Sequence, residues 1–347
     1  MDFELLKKLS NADGVASIED AIRTIIKNEL SDYADTFQYD GIGSLMMTKT
    51  STTPNAPTIM FAAHMDEVGF MIRYISDIGI AYLQPLGGVE NRAKHSEIVR
   101  ATTADGTRFE GVLNSTEDAA GHVQLTYVDF GFNSKDEFIA SGLDVGNMVV
   151  FASDYRELSP DGVVAGKAMD DRAGCFSLVR AMQALKAETL AVNVVASFTS
   201  SEEVGTRGGR LTSHIVNPDL FFAIDVAKNP ELDRGFMNTR KLGKGPMFEF
   251  YDKTMVPNPR LMQFLCQTAD DANLPYQKDM FKGGGTDAGS AHLENSGTAS
   301  AVLGLPLRYC HNPYSFASKQ DLENMSELVQ LLAHKINRTR INEIYNF

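Results

Sequence analysis

Four apolar runs in this chain stop at residues that can bind a metal ion. Residues 58–63 lead into His64, 192–199 lead to Glu202 and Glu203, 220–224 lead into Asp225, and 299–307 lead to His311. A fifth candidate, Asp170, stands in Gly166-Lys167-Ala168-Met169-Asp170-Asp171-Arg172, just ahead of a helical pattern. Short bounded apolar runs separated by helical periodicity read as strands of a mostly parallel sheet flanked by helices, an α/β fold. In such a sheet the ligand crevice lies beyond the carboxyl ends of the strands. Side chains distant in sequence are therefore expected to converge, bringing two imidazoles and several carboxylates to one place. That donor set suits hydrolysis assisted by two divalent ions.

Length and composition bound this reading. A chain of 347 residues can bury a large core and is expected to form two domains. No run approaches the roughly 18 apolar residues of a bilayer-spanning helix, so no membrane partner is expected. The start, Met1-Asp2-Phe3-Glu4-Leu5-Leu6-Lys7-Lys8, lacks the basic-then-apolar order of a signal peptide. Cys175, Cys266 and Cys310 have no regular spacing, which argues against a disulfide framework or a cysteine zinc site. A reducing cytoplasm is the expected compartment. The formal net charge of −13 sets the chain against nucleic acid as a partner.

Residues 1–68 and 163–347 are expected to form the α/β domain, with 69–162 inserted as a small antiparallel β-barrel or sandwich. Leu5, Leu6 and Leu9, then Ile18, Ala21, Ile22, Ile25 and Ile26, recur at helical spacing. Between 69 and 162, β-like runs at 69–75, 98–101, 112–114, 122–128 and 147–152 alternate with Asp-Gly, Gly-Gly and Asn-Ser turn signals. The one helical pattern there is near 134–141. Beyond 163 the spacing predicts helices near 171–187, 205–215, 257–272 and 318–338, and strands at 192–199, 220–224 and 299–305.

The candidate ligands have distinct tasks. His64 heads His-x-Asp, and side chains two apart on extended backbone share a face. Asp66 can then take the second N–H of the imidazole and fix its tautomer. Asp170, with two free oxygens, can bridge two ions about 3.5–4 Å apart. The adjacent Glu202 and Glu203 cannot do the same job, so one binds metal and the other moves protons. Asp225 and His311 complete two three-ligand sites sharing Asp170, with positions left open for water and substrate. His95, His122, His214 and His334 have no partner carboxylates at useful spacing and read as structural, and His292 as pocket lining. Gly283-Gly284-Gly285 lacks the Lys-Ser/Thr ending of a phosphate-binding loop. It reads instead as a tight turn close to substrate, followed by the candidate contacts Thr286 and Asp287.

Six ordered motifs together carry a resemblance over nearly the whole chain. They are His64-Met65-Asp66-Glu67-Val68-Gly69, Gly166 to Arg172, Glu202-Glu203-Val204-Gly205, Asp225 after its strand, Gly284-Gly285-Thr286-Asp287-Ala288, and Arg308-Tyr309-x-His311. The chain resembles the M42 family of metalloaminopeptidases, which includes glutamyl and tetrahedral aminopeptidases. The resemblance implies a Zn-peptidase-like α/β domain, an inserted β-domain used in assembly, and a homo-oligomeric dodecamer exchanging with dimers. It implies two divalent ions per subunit, Zn2+ or Co2+, with Mn2+ also compatible. One would be held by His64 and Asp225, the other by Glu203 and His311, with Asp170 bridging. Glu202 would be the general acid/base, Asp66 would orient His64, and the peptide bond after Asp170 would be cis.

Substrates on this reading are peptides with a free N-terminus. A preference for terminal Glu or Asp would need a cation in the side-chain pocket, for which Arg240, Lys241, Lys282 and Arg308 are candidates, Lys282 first. Two alternatives use parts of the same equipment. A deacylase of N-acyl amino acids or peptides would need the same metals. An endoglucanase-type glycoside hydrolase could work with two carboxylates alone, but it would leave His64, His311 and Asp225 without a task, in a chain that has no Trp for a sugar platform.

Overall fold

The computed structural model describes residues 2–159, 162–228, 240–281 and 283–347. Its main element is an eight-stranded sheet ordered Thr36–Tyr39, Leu45–Lys49, Asn193–Thr199, Thr58–His64, Leu220–Lys228, Ala299–Leu307, Met247–Glu249, Gln277–Asp279. The four central strands, from Asn193–Thr199 to Ala299–Leu307, are parallel to one another. Antiparallel pairs join Leu45–Lys49 and Met247–Glu249 to this centre, so the whole sheet is mixed. Central strands are buried on both faces, which is why they read as unbroken apolar runs. Phe61 and Phe222, side by side in register, stack with ring centroids 5.0 Å apart inside this core.

Helices cover the sheet. Leu5, Leu6 and Leu9 of Glu4–Asn11 and Ile22, Ile26 and Leu30 of Asp20–Leu30 are buried, the stripe expected of period-3.6 sequences. Met169–Leu185 runs through the core, and nearly all its side chains are buried. The other long helices are Arg207–Val216, Pro259–Ala272 and Lys319–Lys335. Asn258 caps Pro259–Ala272 by accepting from the N–H groups of Arg260 and Leu261, with Pro259 in the first turn.

Gly69–Ile75, Ile80–Leu86, Glu97–Thr102, Arg108–Glu117, Val123–Asp129 and Met148–Phe151 close into a six-stranded antiparallel barrel with its own core around Phe70, Leu113, Phe138 and Phe151. Ser134 caps the short helix Lys135–Ala140, whose Phe138 is buried in that core. Several strands differ from expectation, among them the hairpin Thr36–Tyr39 and Leu45–Lys49 and the outer strands Met247–Glu249 and Gln277–Asp279. Ile80–Leu86 joins the barrel although it carries Gln84 and Pro85, and the Leu220 strand continues through Asp225 to Lys228.

Candidate active site

His64 ends its strand with Thr199 beside it in register. Beyond Thr199 the chain turns through Ser201, at φ +62°, and presents Glu202 and Glu203 to the same spot. Asp66 fixes that turn, because its two carboxylate oxygens accept the N–H groups of Glu202 (3.0 Å) and Glu203 (3.1 Å). The Asp66 carboxylate is therefore engaged with backbone and lies 3.6 Å from His64 Nδ1, while the Asp66 carbonyl stands closer, at 2.9 Å. A carbonyl only accepts, so Nδ1 carries the proton and donates it, leaving Nε2 to face the site. Residue 66 thus meets the imidazole through its backbone carbonyl, where the sequence reading places the bond on its carboxylate.

Asp170 opens the helix Met169–Leu185, after Ala168 in the left-handed region (φ +54°), and the Asp170–Asp171 peptide is cis. Its Oδ1 is 3.1 Å from His64 Nε2 and its Oδ2 is 3.1 Å from His311 Nε2. One carboxylate thus gives one oxygen to each imidazole. His311 sits on the turn after Ala299–Leu307 and donates Nδ1–H to the Gly88 carbonyl at 2.9 Å. Glu203 Oε1 is 3.4 Å from His311 Nε2. Two groups result, His64 with Asp170 and Asp225, and Asp170 with Glu203 and His311. In each, the ligand atoms all lie within 4.8 Å of one another.

The electrostatics suit cations. Asp66, Asp170, Asp171, Glu202, Asp225 and Asp287 are all buried. Burial pushes Glu203 up to about 8 and Asp225 up to about 7, the charge of Asp170 adding to both. Glu202 is held well above its usual range, again by burial first and then by Asp225, Asp287 and Glu203. Asp170 goes the other way. Burial opposes its charge, but hydrogen bonds from His311 and His64 outweigh it and keep the carboxyl low. Burial likewise works against the His311 charge, yet Asp170 and Glu203 raise it to about 9. Glu203 Oε1 is buried and accepts no hydrogen bond. A buried carboxylate oxygen without a hydrogen bond, 3.4 Å from the oriented His311 imidazole, fits a divalent ion bound by nitrogen and oxygen.

A cavity of about 710 Å³ opens over the cluster. Asp170, Glu202, Glu203, Asp225 and His311 form its floor, and Thr254, Phe281, Gly283, Gly285, Thr286 and Arg240 form its walls. Arg240 pairs with Asp279 at 3.1 Å and lies 5.5 Å from the Phe281 ring. Three of the candidate contacts do not line this cavity. Asp287 is buried behind the wall, where it accepts from Thr199 Oγ1 (2.6 Å) and Gly209 N–H (3.1 Å), so its oxygens are used in bracing the fold. Arg308 is exposed on a strand end and does not line the cavity, and Lys241 is exposed as well. Lys282 lies outside the described residues. Sequence reasoning missed Gly88 and Lys228, which also line the cavity. Gly87-Gly88 was legible only as a turn signal.

Fold and site define a class, an α/β enzyme with an inserted β-barrel and a buried carboxylate–imidazole cluster where its parallel strands end. Comparison with known proteins narrows it. The model of the M42 glutamyl aminopeptidase family matches residues 43–328. The lysyl aminopeptidase of Pyrococcus furiosus is 31% identical over 97% of this chain and 98% of its own length. The glutamyl aminopeptidase of Lactococcus lactis subsp. cremoris is 30% identical over 99% of both. A TET aminopeptidase from a marine sediment archaeon (Thaumarchaeota) superposes with a TM-score of 0.93 at 31% identity, covering 99% of this chain and 98% of its own. The chain belongs to the M42 glutamyl aminopeptidase family and is a peptidase.

Proposed function

We propose that the chain is a dinuclear metal-dependent aminopeptidase that removes N-terminal residues from short peptides. One observation carries the reading: the two oxygens of Asp170 each lie 3.1 Å from the Nε2 of a different histidine. His64, Asp170 and Asp225 would hold one divalent ion, and Asp170, Glu203 and His311 the other. Nitrogen and carboxylate donors of this kind accept Zn2+, Co2+ or Mn2+. When bound, such ions polarise the scissile carbonyl and bring the pKa of water near about 7.

The chain's own residues supply the rest. Asp66 holds the Glu202 N–H, and the Glu202 carbonyl accepts from Gly205 and Thr206, so the carboxylate is presented from a fixed turn. Glu202 takes the proton of the attacking water and passes it to the departing amine. Its raised affinity for a proton, caused by burial among other acids, suits a group that must hold that proton between the two steps. The cavity wall bearing Arg240 receives the first side chain and favours Glu or Asp there.

Assembly belongs to the same proposal. Residues 69–162 would be a separate domain through which copies associate into dimers and a dodecamer. Tyr74, Ile98, Val112 and Leu125 leave apolar surface exposed on the barrel, which supports this use. Cys175, Cys266 and Cys310 are unpaired, in keeping with a reducing cytoplasm, and no described helix is long and apolar enough to cross a membrane.

The test is hydrolysis of aminoacyl-p-nitroanilides of Glu, Asp, Leu and Lys, with and without chelator, beside N-acetylated counterparts. Release from free-amine substrates alone, abolished by chelator, is expected. Release of acetate from the blocked substrates, with no p-nitroaniline from the free-amine ones, would replace the aminopeptidase with a deacylase.

A further inference from the structure

The turn that presents His311 is braced from outside. Tyr309 and His311 both sit at φ +60°, a left-handed conformation that residues with a Cβ rarely adopt. The brace comes from the barrel. Beyond the strand Ile80–Leu86, residues 87–92 pass directly over the turn. The Gly88 carbonyl accepts His311 Nδ1–H at 2.9 Å, and the Glu90 N–H donates to the His311 carbonyl at 3.2 Å. Arg92 Nε donates to Asn312 Oδ1 at 3.1 Å, and its guanidinium lies 5.7 Å from the Tyr309 ring. The Glu90 carboxylate pairs with Lys228, at the end of the strand that carries Asp225.

The approach is close, and at Gly87 it favours glycine, since a Cβ there would stand 2.8 Å from Val68 Cγ1. A Cβ on Gly88 would stand 3.2 Å from His311 Nδ1. One on Gly87, at φ +75°, would stand 3.0 Å from Glu203 Oε2. His64 is held differently, because its Nδ1 bonds to Asp66 within its own loop.

We infer that residues 87–92, with Arg92 as the anchoring side chain, are a positioning element for His311, so that the inserted barrel sets the metal affinity of one ligand group and not of the other. The inference rests on the two-metal reading above. A ligand histidine keeps its geometry through the bond on its second nitrogen, and loss of such support costs about 10–100-fold in metal affinity. Arg92→Ala removes the Asn312 bond and the Tyr309 contact without touching any ligand.

The experiment is competition of the metal-free full-length protein with a chromophoric chelator for Zn2+. Wild type is expected to bind two equivalents, and His311→Ala identifies the one that depends on His311. Arg92→Ala should weaken that equivalent by about 10–100-fold and leave the other within about threefold. Arg92→Lys, which keeps a donor near Asn312, should recover part of the loss. Asn312→Ala removes the same hydrogen bond from the other side and serves if Arg92→Ala does not fold. Equal weakening of both equivalents, or of neither, would overturn the positioning role. A wild type without a second equivalent would instead refute the two-metal reading, and the inference with it.

Discussion

Arg172 is fully buried and joins the N-terminal segment to the loop that follows His64. Its guanidinium donates to the carbonyls of Met65 (2.6 Å), Leu9 (2.6 Å), Ala12 (3.0 Å) and Gly14 (3.2 Å), and reaches Glu67 Oε1 at 3.4 Å. Some of these acceptors have second donors. Ala12 O also receives Lys167 Nζ, Gly14 O also receives Glu67 N–H, and Glu67 keeps its bond to Lys167. Arg172→Met would therefore strand chiefly the carbonyls of Leu9 and Met65. Each costs about 1–3 kcal/mol when buried without a partner, giving about 4 kcal/mol for the two. Removing one member of a buried ionic network costs a similar 3–5 kcal/mol, roughly. Unfolding entropy of about 2.1 cal/mol/K per residue amounts to about 0.7 kcal/mol/K for this chain. The melting midpoint should then fall by about 5 °C, read by circular dichroism on metal-free protein at fixed concentration. Arg172→Lys should recover less than half, because one ammonium cannot span acceptors from Leu9 to Met65. A fall below about 1 °C for Arg172→Met would refute the reasoning, since these carbonyls would then have found other donors at little cost.

Other perturbations address the chemistry. Glu202→Gln should lower kcat by about 10²–10⁴-fold while two metal equivalents remain bound, checked by steady-state kinetics beside metal analysis. Metal affinity should climb with pH: His311, raised to about 9, Glu203, at about 8, and Asp225, at about 7, must each shed a proton to coordinate. Chelator competition should show at least about a tenfold gain per pH unit from about pH 6 to 8, levelling off above about 9. Arg240→Met should cut kcat/KM for Glu-p-nitroanilide about tenfold or more relative to Leu-p-nitroanilide, because it removes a guanidinium from the cavity wall.

The candidate donors were legible because His64, Glu202, Glu203, Asp225 and His311 lie at, in or just after strands buried on both faces, where an apolar run cannot be mistaken for amphipathic surface, and Asp170 stands at the start of a helix. What escaped did so for physical reasons. The hairpin of Thr36–Tyr39 and Leu45–Lys49 begins with an edge strand that is largely exposed, so it has little apolar pattern to show. Ile80–Leu86 was hidden by Pro85, whose missing N–H argues against a strand although the barrel accommodates it. The strand through Asp225 appeared to stop early because a buried acid interrupts its apolar run before Val226 and Ala227 resume it. The support of His311 could not be read at all. It comes from backbone groups of Gly88 and Glu90, and a carbonyl leaves no mark in residue type. Asp287 and Arg308 stand in the same motifs as the cavity-lining Thr286 and His311, yet one braces the wall and the other faces solvent.

The central claim is that two ions, shared through Asp170, work together on a free N-terminus. The most direct measurement is stepwise return of Zn2+ or Co2+ to metal-free enzyme while hydrolysis of an unblocked dipeptide is followed. Activity absent without metal and reaching its plateau as the second ion per chain binds is the expected result. Full activity in the metal-free enzyme, or a plateau at one ion per chain, would contradict it.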